Sequence, residues 1–273
     1  MKKAKVKGTE VPVNKNRGLA PTAKGSTTIA PAGGVKGRGF ENIDRKDILL
    51  PRVKLLQPLS PEVTGDAGMK AGTILVNLTN KNLGTEIIIT PILHFRSRIK
   101  WLNKDDGGGI ECSSPDAKKP LGEIFSTECG TCEAKDWNND AKKEKDQQPS
   151  CTLYENFLVL VGDAREPVLI PMERTKLKVA RKFYSMGALK GGDMWDWQYK
   201  ISVTKEKNEA DQTYYNYVVT DLTKATPDDR KKYCESIWKS LSTKTLQAAE
   251  MEHPETEATS VKEISSTTSE SKY

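Results

Sequence analysis

Four of the five cysteines, Cys112, Cys129, Cys132 and Cys151, follow a C-x16-C-x2-C-x18-C pattern inside a stretch otherwise poor in apolar residues. Cys129-Gly130-Thr131-Cys132 can bend so that two thiolates point at one ion, and Cys112 and Cys151 can close the other half if the loops between them fold back. Cys112 lies just past the strand-like run ITPILHFRSRIKWL, and Cys151 just before LYENFLVLVG, so the four would pin the neck of a long loop. The pattern is read as one tetrahedral, structural Zn²⁺ site: four thiolates leave no open coordination position for catalysis. Unpaired thiols and a redox-active C-x2-C pair stand as alternatives, although the second lacks the βαβ setting it needs.

The rest of the chain divides by composition. Residues 1–38 and 248–273 are low in large apolar side chains and rich in Lys, Gly, Ser, Thr, Glu and Pro, a mixture that buries too little surface to offset chain entropy. They are expected to be a disordered basic arm and a disordered tail around one folded domain, residues 39–247, which carries the zinc-binding insert at 103–152. The net charge of +6 is uneven: residues 1–40 hold nine Lys/Arg against one Glu, and residues 103–150 hold seven against eleven Asp/Glu. A flexible basic arm before a nearly neutral domain suits an anionic polymer, its alternative being a merely solubilising tail. The opening MKKAKVKGTE has no apolar h-region and no stretch is long and apolar enough to span a membrane, so the expected setting is a reducing cytoplasm without disulfides and without membrane contact.

Taken in order, RVKLLQ and GTILVNLT alternate as strands, with a loop from Pro58 to Met69 between them. Residues 86–102 form the longest β-rich run, in which Pro91 marks a bulge or an edge. Beyond it, Phe95, Ser97, Ile99 and Trp101 fall on one face and Arg96, Arg98 and Lys100 on the other. NFLVLV and PVLIPM read as a hairpin. Thr175 to Gly187 reads as a helix with Leu177, Ala180, Phe183 and Tyr184 on its apolar stripe, surrounded by Arg174, Lys176, Lys178, Arg181 and Lys182. DMWDWQYKISVTK is a strand with Trp195, Trp197, Tyr199, Ile201 and Val203 on one face, paired with TYYNYVVTDL. A last helix is expected from Thr226-Pro227 to about Leu246, with Tyr233, Ile237, Trp238 and Leu241 buried.

Short strands with two helices and a stapled loop describe a mainly β, α+β fold, and among small barrels an OB-like one is the first expectation. No nucleophile elbow, phosphate loop, Rossmann glycine pattern or paired catalytic acids occurs, so the chain is read as a non-enzyme. What stands out is rings interleaved with cations in FRSRIKW, RKFY, WDWQYK and TYYNY. Bases stack on rings while Lys and Arg follow phosphates, the combination a single-stranded nucleic-acid groove needs. The expected DNA-binding residues are Arg96, Arg98, Lys100 and Trp101, the helical Arg174, Lys176, Lys178, Arg181 and Lys182, and Trp195, Trp197, Tyr199 and Lys200. Arg96, Arg98 and Lys100 would face the DNA while Phe95 and Ile99 pack inside. The competing view of the same residues is a solvated charged surface over ordinary aromatic core.

The segment ENIDRKDILLPRVKLLQPLSPEV, followed by KAGTILVNLTNKNLGTEIIITPILHFRSRIKW and a cysteine-bearing insert, resembles a group of tailed-phage proteins of the replication and recombination region, single-stranded DNA-binding proteins of OB type. The resemblance covers roughly residues 40–222. It implies an OB-like fold, sequence-independent binding of single-stranded DNA in phage DNA replication or recombination, a zinc module in the DNA-binding domain, and the cytoplasm of a bacterial host. It also implies an acidic C-terminal tail that docks replication or recombination proteins. Residues 251–273, with five Glu against two Lys and a terminal Tyr273, are less acidic than that pattern. The runner-up is a zinc-containing regulator that binds duplex DNA, RNA or a host protein.

Overall fold

The computed structural model of the chain describes residues 50–65, 68–102, 108–122, 125–136 and 149–241. The arm, the tail and the middle of the insert lie outside them. A first hairpin-like sheet comes from β1 (Val53–Leu55), β2 (Ile74–Val76) and β3 (Lys81–Gly84), with one helical turn, α1 (Pro61–Thr64), between β1 and β2. Asn80, at φ 49°, immediately precedes β3 at the reversal from β2. A larger sheet follows, made of β4 (Glu86–Trp101), β5 (Ile110–Ser114), β6 (Cys151–Val161), β7 (Pro167–Glu173), β8 (Trp197–Lys207) and β9 (Thr213–Ala225). Its order is β7-β6-β4-β8-β9, with β5 pairing the far end of β4. Helix α2 (Leu177–Lys190) links β7 to β8, and α3 (Asp228–Leu241) follows β9.

The expected OB-like barrel is not closed by the described strands: β7 and β9 end the large sheet without pairing each other. The small sheet lies over one face instead and touches both of these edges. At β7 it makes a single parallel bridge, Arg52 to Leu169. At β9, the Gln57 amide donates to the Tyr215 carbonyl at 3.0 Å and accepts from the Tyr215 N–H at 2.8 Å. Gly72 makes this approach possible: it has φ +85°, and a Cβ there would stand 2.7 Å from the Tyr215 ring. Between the sheets and α2 lies the main core, with Val53, Leu55, Ile74 and Val76 facing Ile89, Phe157, Ile170, Ile201 and Val219, and with Val179, Ala180 and Phe183 from α2. On the opposite face of the large sheet α3 covers Ile92, Leu158, Leu160 and Leu169 with Ile237, Leu241 and Cys234. Cys234 is thus the inward residue, its thiol pushed by burial up to about 11, while Trp238 stays 38% exposed.

The phase of β4 sets the site. The β4–β6 register shifts between Pro91 and Leu93, a bulge at the expected place. A bulge adds one residue to one strand and so reverses which side chains face which way beyond it. Before it, Ile87 and Ile89 point into the main core; after it, Leu93 and Phe95 pack towards α3. His94, Arg96, Arg98 and Lys100 therefore lie on the main-core face, along a sheet surface that extends past α2 towards the insert.

Candidate functional site

Beyond the edge of the main core this face carries two neighbouring features, an open groove and a small cavity. The groove is lined by His94, Phe95 and Arg96 of β4, Tyr184 of α2, and Asp116 and Lys118 of the turn after β5. Its floor is fixed by Glu155 on β6, the direct partner of Arg96, whose side chain is 4% exposed. The carboxylate takes the Arg96 Nε at 3.0 Å and stands 2.6 Å from His94 Nε2. A buried carboxylate without such partners would carry a large desolvation cost. The His94 ring lies 4.8 Å from Phe157 and 5.7 Å from Tyr184, and Phe157 continues through Phe183 to Tyr199, so the groove rings rest on the aromatic spine of the core. On the insert side Asp116 organises its own turn, accepting from Ser114 Oγ at 3.0 Å and from the N–H groups of Lys118 and Lys119 at 2.8 and 2.9 Å. Burial raises the Asp116 pKa, but the Lys119 and Lys118 N–H groups and the Ser114 hydroxyl outweigh it, and the carboxyl lies below its ordinary value.

The cavity is lined by Cys112, Cys129, Cys132 and Cys151 together with Arg98, Lys100 and Phe125. Cys112 on β5 and Cys151, the first residue of β6, are the direct partners of Lys100 on either side of β4. The Cys129–Cys132 turn supplies the other two thiols and is tied down by the Cys129 N–H to the Lys118 carbonyl at 2.8 Å. None of the five cysteines forms a disulfide. Burial, then the nearby Cys129 and Cys132, raise the Cys112 pKa; burial also raises Cys151, with Arg98 acting against it. Among the described residues no three His, Cys, Asp or Glu side chains stand in a finished metal-holding arrangement, although all four thiols line the one cavity.

The expected DNA-binding residues are dispersed by this geometry. Arg96 is 54% exposed, but Arg98 and Lys100 turn to the cavity, Arg98 donating to the Cys151 carbonyl at 3.5 Å and Lys100 pairing with Glu111 while lying 4.3 Å over the Phe125 ring. Trp101 is on the other face, packed with Ile99 and Tyr154. Of the single face expected over Trp195 to Val203, Trp197, Tyr199, Ile201 and Val203 do share the main-core side of β8, and Trp195 leaves it. Trp195 sits in a 3₁₀ turn, Met194–Asp196, closed by a reciprocal Asp193/Asp196 capping box, and is buried on the α3 side, whereas Tyr199 is buried in the main core. Neither ring is open for stacking. Trp197 is half-buried, with Lys190 4.2 Å over its ring, and Lys200 pairs with Glu86 at 3.3 Å. Of the helical cations, Arg174, Lys178, Arg181 and Lys182 are exposed, Lys176 is half-buried, and Lys178 reaches Glu206 at 3.7 Å. Tyr184, His94, Glu155 and Lys118 were not among the expected site residues.

A model of one protein family matches residues 23–247, most of the 273-residue chain. The chain belongs to the Pam3 phage gp34-like protein family. It is therefore a phage protein, and the match takes in both the groove and the cysteine cavity. No curated protein and no solved structure matches the chain. Among the described residues no helix is long and apolar enough to cross a membrane.

Proposed function

We propose that this phage protein is a non-enzymatic, sequence-independent single-stranded DNA-binding protein of replication or recombination, and that the strand follows the groove between α2 and the insert. The observation that carries the reading is the pairing of rings with cations there. Tyr184 and His94 stand in contact beside Arg96 and Lys118, and Arg181, three residues before Tyr184, is exposed on the same helix surface. Stacking on a ring tolerates any base and contributes about 1–3 kcal/mol per base, while Lys and Arg follow the phosphates. Glu155 holds the Arg96 guanidinium by its Nε, which orders a cation that would otherwise lose rotamer freedom on binding.

The test is fluorescence anisotropy of labelled oligo(dT) with the full chain at two salt concentrations, with mixed-sequence single strands, duplex DNA and RNA as competitors. Tight, salt-dependent, base-independent binding is expected, together with a loss of about tenfold or more for Tyr184→Ala and a weaker salt dependence for Lys118→Gln combined with Arg181→Gln. A preference for duplex or RNA, or no binding to any of them, overturns the reading in favour of a regulator of another target.

A further inference from the structure

The insert raises a physical question of its own: what keeps it folded. From Pro115 to Asp136 not one described residue belongs to any of the three hydrophobic clusters, Leu121 and Phe125 are exposed, and Cys129 alone is buried. The segment nonetheless holds defined turns, including the Asp116 turn and the 3₁₀ turn Glu133–Lys135. A stretch of this length without a core needs another source of order. The four thiols that meet round the cavity come from β5, from the first residue of β6 and from both ends of the Cys129–Cys132 turn.

We propose that Cys112, Cys129, Cys132 and Cys151 bind one Zn²⁺ as a structural tetrathiolate site. On binding, four S–H groups give up their protons to solvent and four Zn–S bonds form, leaving a site with two net negative charges. Arg98 and Lys100 line the same cavity, and their positive charge offsets that of the site; Lys100 shares its charge with Glu111. Closing the thiols on an ion pulls the Cys129–Cys132 turn onto β5 and β6. Because the Cys129 N–H is bonded to the Lys118 carbonyl, the same ion fixes the insert wall of the groove. That last consequence rests on the proposed DNA-binding function; the metal site does not.

The experiment takes the full chain, purified under reducing conditions, and measures zinc by elemental analysis, then replaces it with Co²⁺ and records the absorption spectrum. One zinc per chain and the intense thiolate-to-cobalt charge-transfer band of a tetrahedral tetrathiolate are expected. Cys132→Ser and Cys151→Ser should each lose stoichiometric zinc, whereas Cys234→Ala should keep it. Should a variant fail to fold, native mass spectrometry of the unaltered chain before and after chelation gives the stoichiometry directly. Folded, reduced protein that takes up neither metal from excess, or that keeps all its zinc after both cysteine changes, overturns the proposal. Oligo(dT) binding measured on the same zinc-loaded and chelated samples reports separately on the groove: zinc present without any DNA binding sinks the functional reading and leaves the metal site standing.

Discussion

Glu155 lies at the junction of the groove and the core, with the His94 ring on one side and the Arg96 guanidinium on the other. Removing the carboxylate by Glu155→Ala strips two polar groups of their acceptor at a buried position, and the expected loss is about 2–3 kcal/mol in urea denaturation. Arg96→Ala should cost less than about 1 kcal/mol, because Arg96 is half in water while Glu155 keeps His94. An inverted ranking would mean that Glu155 is stabilised by something other than this pair. Glu206 gives a pH-dependent counterpart. The Tyr214 hydroxyl at 2.6 Å holds its carboxyl below the ordinary 4.5, with help from Asn216 and Lys178 and against burial. A carboxylate with a depressed folded pKa stabilises the fold above its unfolded pKa, and that contribution disappears as pH falls through the folded one. Melting temperature should therefore drop on acidification below about 4.5, and Glu206→Gln should be less stable at neutral pH with a shallower acid decline. A variant whose acid limb matches the parent's would remove Glu206 from the account.

At the scale of elements, β4 is decided by its bulge. A one-residue deletion between Pro91 and Leu93 should not merely shorten the strand but swap its distal faces, sending Arg96, Arg98 and Lys100 to the α3 side and Phe95 and Ile99 to the groove. Loss of the folded state in circular dichroism and rapid proteolysis are the expected outcome; a stable, well-folded deletion variant would show that the phase is set elsewhere. Much of this was legible in the residues. Pro91 announces an irregularity, and the strict alternation from Phe95 to Trp101 separates cations from apolar side chains. Which side each set would face was not legible, because it depends on the number of residues through the bulge. Trp195 was misplaced for a related reason: the alternation of Trp195, Trp197 and Tyr199 runs unbroken in the sequence, and only the mutual capping of Asp193 and Asp196 breaks the strand there. Tyr184 was hidden by its helical spacing, which is that of a core residue. Glu155 was hidden because an acid among apolar strand residues looks the same whether it meets water or an arginine.

Across the whole molecule, the basic arm is the part that composition speaks for most directly. Deleting residues 1–38 removes nine Lys/Arg and one Glu from a segment that precedes the described residues. The expected result is an unchanged melting temperature with weaker oligo(dT) binding, the log-log salt slope falling by about 0.7 for each phosphate that the arm no longer neutralises. An unchanged slope would show that the arm never meets the strand. The double attachment of the small sheet has a different reach. Val53, Leu55, Ile74 and Val76 lie early in the chain, yet the surfaces that cover them include β7 and β9, and the pairing of Gln57 with Tyr215 spans 158 residues. On a ribosome, the first sheet would emerge with its apolar face bare and wait for most of the domain to be synthesised before it could dock. Folding of this protein is thus timed by its C-terminal half, and chains truncated before β9 should be held in solution only by whatever shields that early face.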